Sequence, residues 1–174
     1  MSKTGWIIFT AVVLAVLGGL VAWARISNPP INVDGIDHSK VVAASAENGN
    51  IGDQVRGKKD SKVLLIEYGD FQCPGCGEVH PQTKQIIEEY GDRIGFVFRN
   101  FPLSSMHPNA RLAAAAAEAA GFQGKYWGMH DLIYDNQSDW GSLTGEKRND
   151  IFVNYAKSLE LDIDKFNTDL ASKS

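Results

Sequence analysis

Cysteine is scarce in this chain: Cys73 and Cys76 are the two in 174 residues. A four-ligand zinc site lacks a second Cys pair and would have to borrow from His38, His80, His107 or His130, so no metal site is expected. Haem attachment wants His directly after the second Cys, and Gly77 stands there. A structural disulfide closing so short a loop would remove little unfolded-chain entropy and would be an inefficient staple. No cofactor is expected. Basic surplus is also lacking: 17 Lys and Arg against 21 Asp and Glu leave a formal charge of −4. That balance argues against a nucleic-acid partner. No internal repeat stands out, and the length suits one domain with a real core.

Long hydrophobic runs are absent but for one. Gly5 to Ala24 carries no charge over 20 residues, and Arg25 closes it. At ~1.5 Å per residue the run reaches about 30 Å, the thickness of the hydrocarbon core. Trp6 and Trp23 stand near its ends, where amphipathic rings favour the interface. Residues 1–26 are therefore expected to be a membrane anchor, or a signal segment cleaved after Ala22-Trp23-Ala24, whose small residues suit a signal peptidase. Lys3 favours an N-terminus inside, weakly opposed by Arg25 and Lys40. Either way residues from about 27 onward are expected outside the cytoplasm, where a disulfide persists. The lipid bilayer is the expected partner of residues 5–24.

Residues 27–60 read as a tether leading into the domain, with Asn28-Pro29-Pro30, Asp34-Gly35 and a polar stretch from Ser45 to Gly57. The domain itself is placed at 61–174. Val63-Leu64-Leu65-Ile66 predicts a buried strand. From Gly77 the apolar spacing turns helical through Tyr90, and Ile94 to Phe101 predicts a second strand. Strand, helix, strand implies a right-handed crossover and parallel pairing. An Ala-rich helix over Asn109 to Ala120 predicts close packing. Helices follow over Lys125 to Tyr134 and Glu146 to Leu159, with a polar loop between them, and Leu161-Asp162-Ile163-Asp164 enters a last helix.

Cys73-Pro74-Gly75-Cys76 follows a strand and opens a helix. Backbone N–H groups at a helix start favour a thiolate at Cys73, while Cys76 lies one turn on, less exposed. The division of labour expected from this is a thiol–disulfide exchange in which Cys73 attacks and Cys76 resolves. Pro74 suits an early helical position, and Gly75 lets a partner chain approach. Glu67, six residues before Cys73, is a candidate to pass protons to and from Cys76 if burial raises its pKa; the plain alternative is an exposed strand-end glutamate. His80 either tunes the pair or is a surface residue. His107 reads as a turn feature and His130 as structural. Arg99 and Arg111 pair with acids or stay solvated.

These segments resemble the DsbA-like branch of the thioredoxin superfamily, in its anchored or secreted bacterial form. Glu67 to Cys76 is similar to that family's active-site strand and helix start. Arg99-Asn100-Phe101-Pro102-Leu103 with His107-Pro108-Asn109-Ala110 resembles its second strand and the approach to its helical insertion. Ala113 to Trp127 is similar to the inserted helices. The resemblance implies an α/β thioredoxin-like fold with a DsbA-type helical insertion at about 109–174. It implies Glu67 as a supporting acid, cysteines of exported proteins as substrates, and a separate redox partner that resets the pair. Oxidase is the expected direction. The family fold continues past the insertion with a cis-Pro loop, a hairpin and a final helix. None of the six prolines here suits the cis role, so the domain is expected to be incomplete at its C-terminus. Its central sheet would then be a two-stranded parallel core. That incompleteness is the best argument for the alternative, a non-catalytic extracytoplasmic binding or assembly module. A transporter subunit has one hydrophobic segment in its favour.

Overall fold

The computed structural model describes residues 3–27, 39–48 and 50–173. They belong to two units, Met1–Asp37 and His38–Ser174. Asn28-Pro29-Pro30, Asp34-Gly35 and His38, read above as tether and candidate ligand, lie outside the described residues.

In the first unit Lys3–Ser27 form helix α1. Its Lys3–Ala24 stretch has a mean hydropathy of 2.5 and is long and apolar enough to cross a membrane by length and composition. The Thr10 hydroxyl inside it is satisfied locally, donating to Trp6 O at 2.9 Å.

The second unit is built on a sheet of β1 (Val55–Gly57), β2 (Leu64–Gly69) and β3 (Gly95–Asn100), in the order β1-β3-β2. Strands β2 and β3 are parallel, with Ile66 opposite Val97 and Glu67 opposite Phe98. Helix α2 (Pro74–Tyr90) makes the crossover. The central strand β3 carries the continuous apolar run Phe96-Val97-Phe98, all buried, as a strand covered on both faces requires.

Strand β1 corrects the two-stranded expectation and the tether boundary at residue 60. Val55 pairs antiparallel with Val97 and Gly57 with Gly95. Three residues are too few to show a period, and Arg56 in the middle reads as polar. Gly57 has φ +84°, and a Cβ there would meet Ile94 O at 2.7 Å, so only glycine ends the strand this way. Upstream of β1 the chain is fastened to β3. Arg99 donates to both Asp53 oxygens and, through Nη2, to Lys40 O at 2.7 Å. Asp53 also accepts from Val42 N–H at 2.7 Å. Arg99 therefore takes the paired alternative, and this hydrogen-bonded contact with Asp53 holds its guanidinium firmly charged.

The helices are α3 (Ala110–Gly121), α4 (Tyr126–Asp135), α5 (Gln137–Trp140), α6 (Gly145–Ser158) and α7 (Ile163–Lys173). Eight alanines of α3 are buried, and their small bulk lets α4 and α7 pack close. Helix α5 replaces part of the expected polar loop. Its Trp140 is fully buried and donates Nε1–H to Ile133 O at 2.8 Å. Phe71, Phe96, Met129, Ile133, Phe152 and Phe166 complete the largest fully buried side chains beside it, with Val97.

Candidate active site

The segment between β2 and α2 is held by one carboxylate. Asp70 is 3% exposed. Its Oδ1 accepts Gln72 N–H at 2.7 Å, closing an Asx turn, and its backbone O accepts Cys73 N–H at 3.1 Å. Its Oδ2 accepts Leu103 N–H at 2.8 Å and lies 2.8 Å from His107 Nδ1. The loop after β3 is thus tied to the cysteine loop, and His107 serves that tie as well as its turn. Sequence reasoning missed Asp70; the Asp two residues before Gln72 was the available Asx signal.

Two side-chain amides tie the cysteine loop to distant segments. Gln137 Nε2–H donates to Phe71 O at 2.7 Å and to Cys73 O at 2.9 Å. Gln72 donates to Gly141 O at 2.7 Å and accepts Asn109 N–H at 2.6 Å. Nothing local in the sequence marks Gln137, because its partners are more than sixty residues away. Replacing it with alanine strips two partly buried carbonyls of their side-chain donor. Gln137→Ala is expected to lower stability by about 1–3 kcal/mol, read as a lower urea midpoint with unchanged slope. A loss under a few tenths would mean water serves those carbonyls equally well.

Cys73 is the N-cap of α2, with extended φ −69° and ψ 121°, and Pro74 follows at the first helical position. This is where proline's missing N–H and preset φ fit. Gly77 N–H closes the first turn on Cys73 O at 3.1 Å. The structure holds Cys73 and Cys76 as free thiols, each half-buried, on either side of exposed Pro74 and Gly75. A Cβ on Gly75 would find Cys73 Sγ at 3.9 Å and nothing closer, so the face above the pair is open. Burial pushes the Cys76 thiol up. Its hydrogen bond to Cys73 and the nearby charges of Cys73 and Glu67 push the same way, against a backbone hydrogen bond at Asp70. Below lies Phe71, 1% exposed, its ring 5.0 Å from Phe98 and 4.8 Å from Tyr134.

Glu67 sits within β2 rather than at its end and is half-buried. Thr83 Oγ1–H donates to its Oε2 at 3.5 Å. Burial raises its pKa, which the Thr83 bond partly offsets, and its charge is felt at Cys76. The exposed-glutamate reading does not hold. Neither does the surface reading of His80, which is 4% exposed and stacks on the Tyr134 ring at 4.9 Å. His130 is buried among Phe71, Phe98, Trp127 and Tyr134.

Comparison with known proteins adds three findings. The family described as Thioredoxin matches residues 49–174. A Na(+)/H(+) antiporter NhaA 1 of Salinispora arenicola is 42% identical over 121 residues, covering 70% of this chain and 17% of the antiporter. The chain thus spans under a fifth of the curated relatives it matches first. Among solved structures, α-DsbA1 of Wolbachia pipientis overlays with a TM-score of 0.58 at 23% identity, over 68% of this chain and 59% of that one. BdbD of Bacillus subtilis gives 0.55 at 23%, over 77% and 71%. At that identity the likeness establishes the fold: α/β, thioredoxin-like, with a helical insertion.

Proposed function

This chain belongs to the thioredoxin family, and we propose that Cys73 and Cys76 make it a thiol–disulfide oxidoreductase for cysteines of exported proteins. The observation that carries the reading is the placement of the thiols. Cys73 caps α2 beside an open face, and Cys76 sits one turn deeper.

In the oxidising direction the pair starts as a disulfide. A substrate thiolate attacks Cys73 Sγ, the Cys73–Cys76 bond breaks, and Cys76 leaves with the electron pair. A second substrate thiolate attacks the substrate sulfur of the mixed disulfide, and Cys73 leaves. The substrate loses two electrons, held by the two thiols until a separate redox partner removes them. Cys76, pushed up by burial, leaves best with a proton, and Glu67, also pushed up by burial, is the donor in this scheme. Pro74 sets the helix start, and Gly75 leaves room for the substrate backbone. Residues 1–26 hold the domain to the bilayer through residues 5–24, or are removed after Ala24. The domain then works on the extracytoplasmic side, where disulfides persist.

One observation favours a second reading. The matched segment is 17% of a much longer antiporter, so a domain of this kind also occurs as part of a larger membrane protein. A non-catalytic binding or assembly module fits that setting.

Redox titration of the full chain against glutathione at pH 7, with alkylation and mass reading both cysteines, separates the two. The enzyme gives one two-electron midpoint toward the about −120 mV end of the thioredoxin-fold range. Thiols that titrate like those of an unfolded peptide support the module. In exchange assays Glu67→Gln is expected to slow turnover at neutral pH ~10-fold or more. The wild-type rate should fall as pH rises through the raised Glu67 pKa, since only the protonated acid donates. A Gln variant with the same pH profile would remove Glu67 from the scheme.

A further inference from the structure

Helices α2 and α4 bring together three side chains that the exchange chemistry does not use. His80 from α2 and His130 and Asp131 from α4 each offer one ligand atom, and these atoms all lie within 4.8 Å of one another. Both histidines are nine-tenths buried or more. His130 Nε2 is buried without a hydrogen-bond partner, while its Nδ1 lies 3.0 Å from Asp131 Oδ1. A buried polar atom of this kind is rarely left so and asks for an explanation. A second carboxylate stands at the edge: Asp135 Oδ1 is 3.2 Å from His80 Nε2. Asp131 and Asp135 are four residues apart on α4, hence on one face of that helix.

We propose that His80, His130 and Asp131, with Asp135 at the edge, form a site for a divalent first-row transition-metal ion of the zinc class. Two imidazoles and one or two carboxylates make a nitrogen–oxygen donor set that suits such an ion. A tetrahedral ion with bonds of about 2.0 Å sets its ligand atoms about 3.3 Å apart. The His80–Asp135 pair already has that spacing. The other ligand atoms lie within 4.8 Å of one another, so the side chains draw together around the ion, Asp131 being the most exposed of the three. Burial favours the neutral form of both histidines, leaving a ring lone pair for the ion.

Competing cations are at hand. Arg56 Nη1 donates to both Asp131 oxygens at 2.9 Å, and Lys84 Nζ lies 3.2 Å from Asp135 Oδ2. The ion has to share these carboxylates, which moderates its affinity. Arg56 and Lys84 then act as outer partners that orient them. An ion here joins α2 to α4 one turn beyond Cys76, which would stiffen the helix that carries the redox pair.

The test uses the untagged full chain with Cys73→Ser and Cys76→Ser, so that neither thiols nor a histidine tag can take the metal. Cobalt(II) alone is titrated in, its visible d–d bands are followed, and zinc is added to displace it. Saturation at one equivalent is expected, with affinity at least tenfold weaker in Asp131→Asn and in His130→Gln. Asp131 is partly exposed, so its variant keeps the fold even where the histidine variant does not; circular dichroism checks both. Absence of saturable binding overturns the site. So does binding that Asp131→Asn leaves unchanged, or binding seen only while the cysteines are present.

Discussion

Replacing Cys73 with serine is expected to bring thiol–disulfide exchange down to the uncatalysed rate, while Cys76→Ser leaves a chain that stalls as a mixed disulfide with its substrate. The asymmetry follows from the geometry. Cys73 is the N-cap of α2, beside the exposed Pro74 and Gly75. A substrate sulfur reaches it first. Cys76 is one turn deeper, its thiol raised by burial and by the neighbouring Cys73 and Glu67. It is suited to displace a substrate already joined to Cys73. Serine preserves the shape at both positions, and both side chains are only half-buried, so the fold should survive. The measurement is exchange with a disulfide-bearing reporter peptide, followed by non-reducing electrophoresis and mass for trapped adducts. Adducts trapped by Cys73→Ser instead would reverse the assignment. Equal residual activity in both variants would abandon the enzyme for the binding module.

Phe71→Ala is expected to cost about 3–5 kcal/mol of stability. The ring is 1% exposed and packs within 5.4 Å, centroid to centroid, of Phe98, Tyr134 and His130. It is the floor beneath the cysteine loop and joins β3 to α4. Its removal leaves a cavity between a strand and a helix that cannot easily close, because Asp70 and Gln137 hold the backbone on both sides. The urea midpoint should fall with little change in slope. Exchange should also slow, since the loop carrying Cys73 loses its support. A loss below about 1 kcal/mol would mean that the floor collapses inward and that the loop is held by its hydrogen bonds alone.

The structural metal question shows where a one-dimensional reading stops. The scarcity of cysteine argued against a metal site, and His80 and His130 stood only as two of the four histidines that such a site would have to borrow. His80 and His130 lie on different helices, and their rings come within 5.4 Å only because α2 and α4 pack against each other. The same limit applies to Gln137. A glutamine in a four-residue helix has no local signature, yet it holds the carbonyl of the candidate nucleophile.

What the sequence by itself determined is whatever is written within one turn or one strand. The apolar run of residues 5–24, the strand before Glu67, the Cys-Pro-Gly-Cys helix start and the alanine helix are all local patterns, each set by side-chain period, a cap or a breaker. Their order was enough to imply the parallel crossover between β2 and β3. Only the tertiary structure decided that Val55–Gly57 would join the sheet, that Arg99 would fasten Lys40 and Asp53 to β3, and that Asp70 would hold two loops at once. Those contacts join residues that are far apart along the chain. Their free energy comes from burial and hydrogen bonding achieved only on packing, which no periodicity within a single segment records.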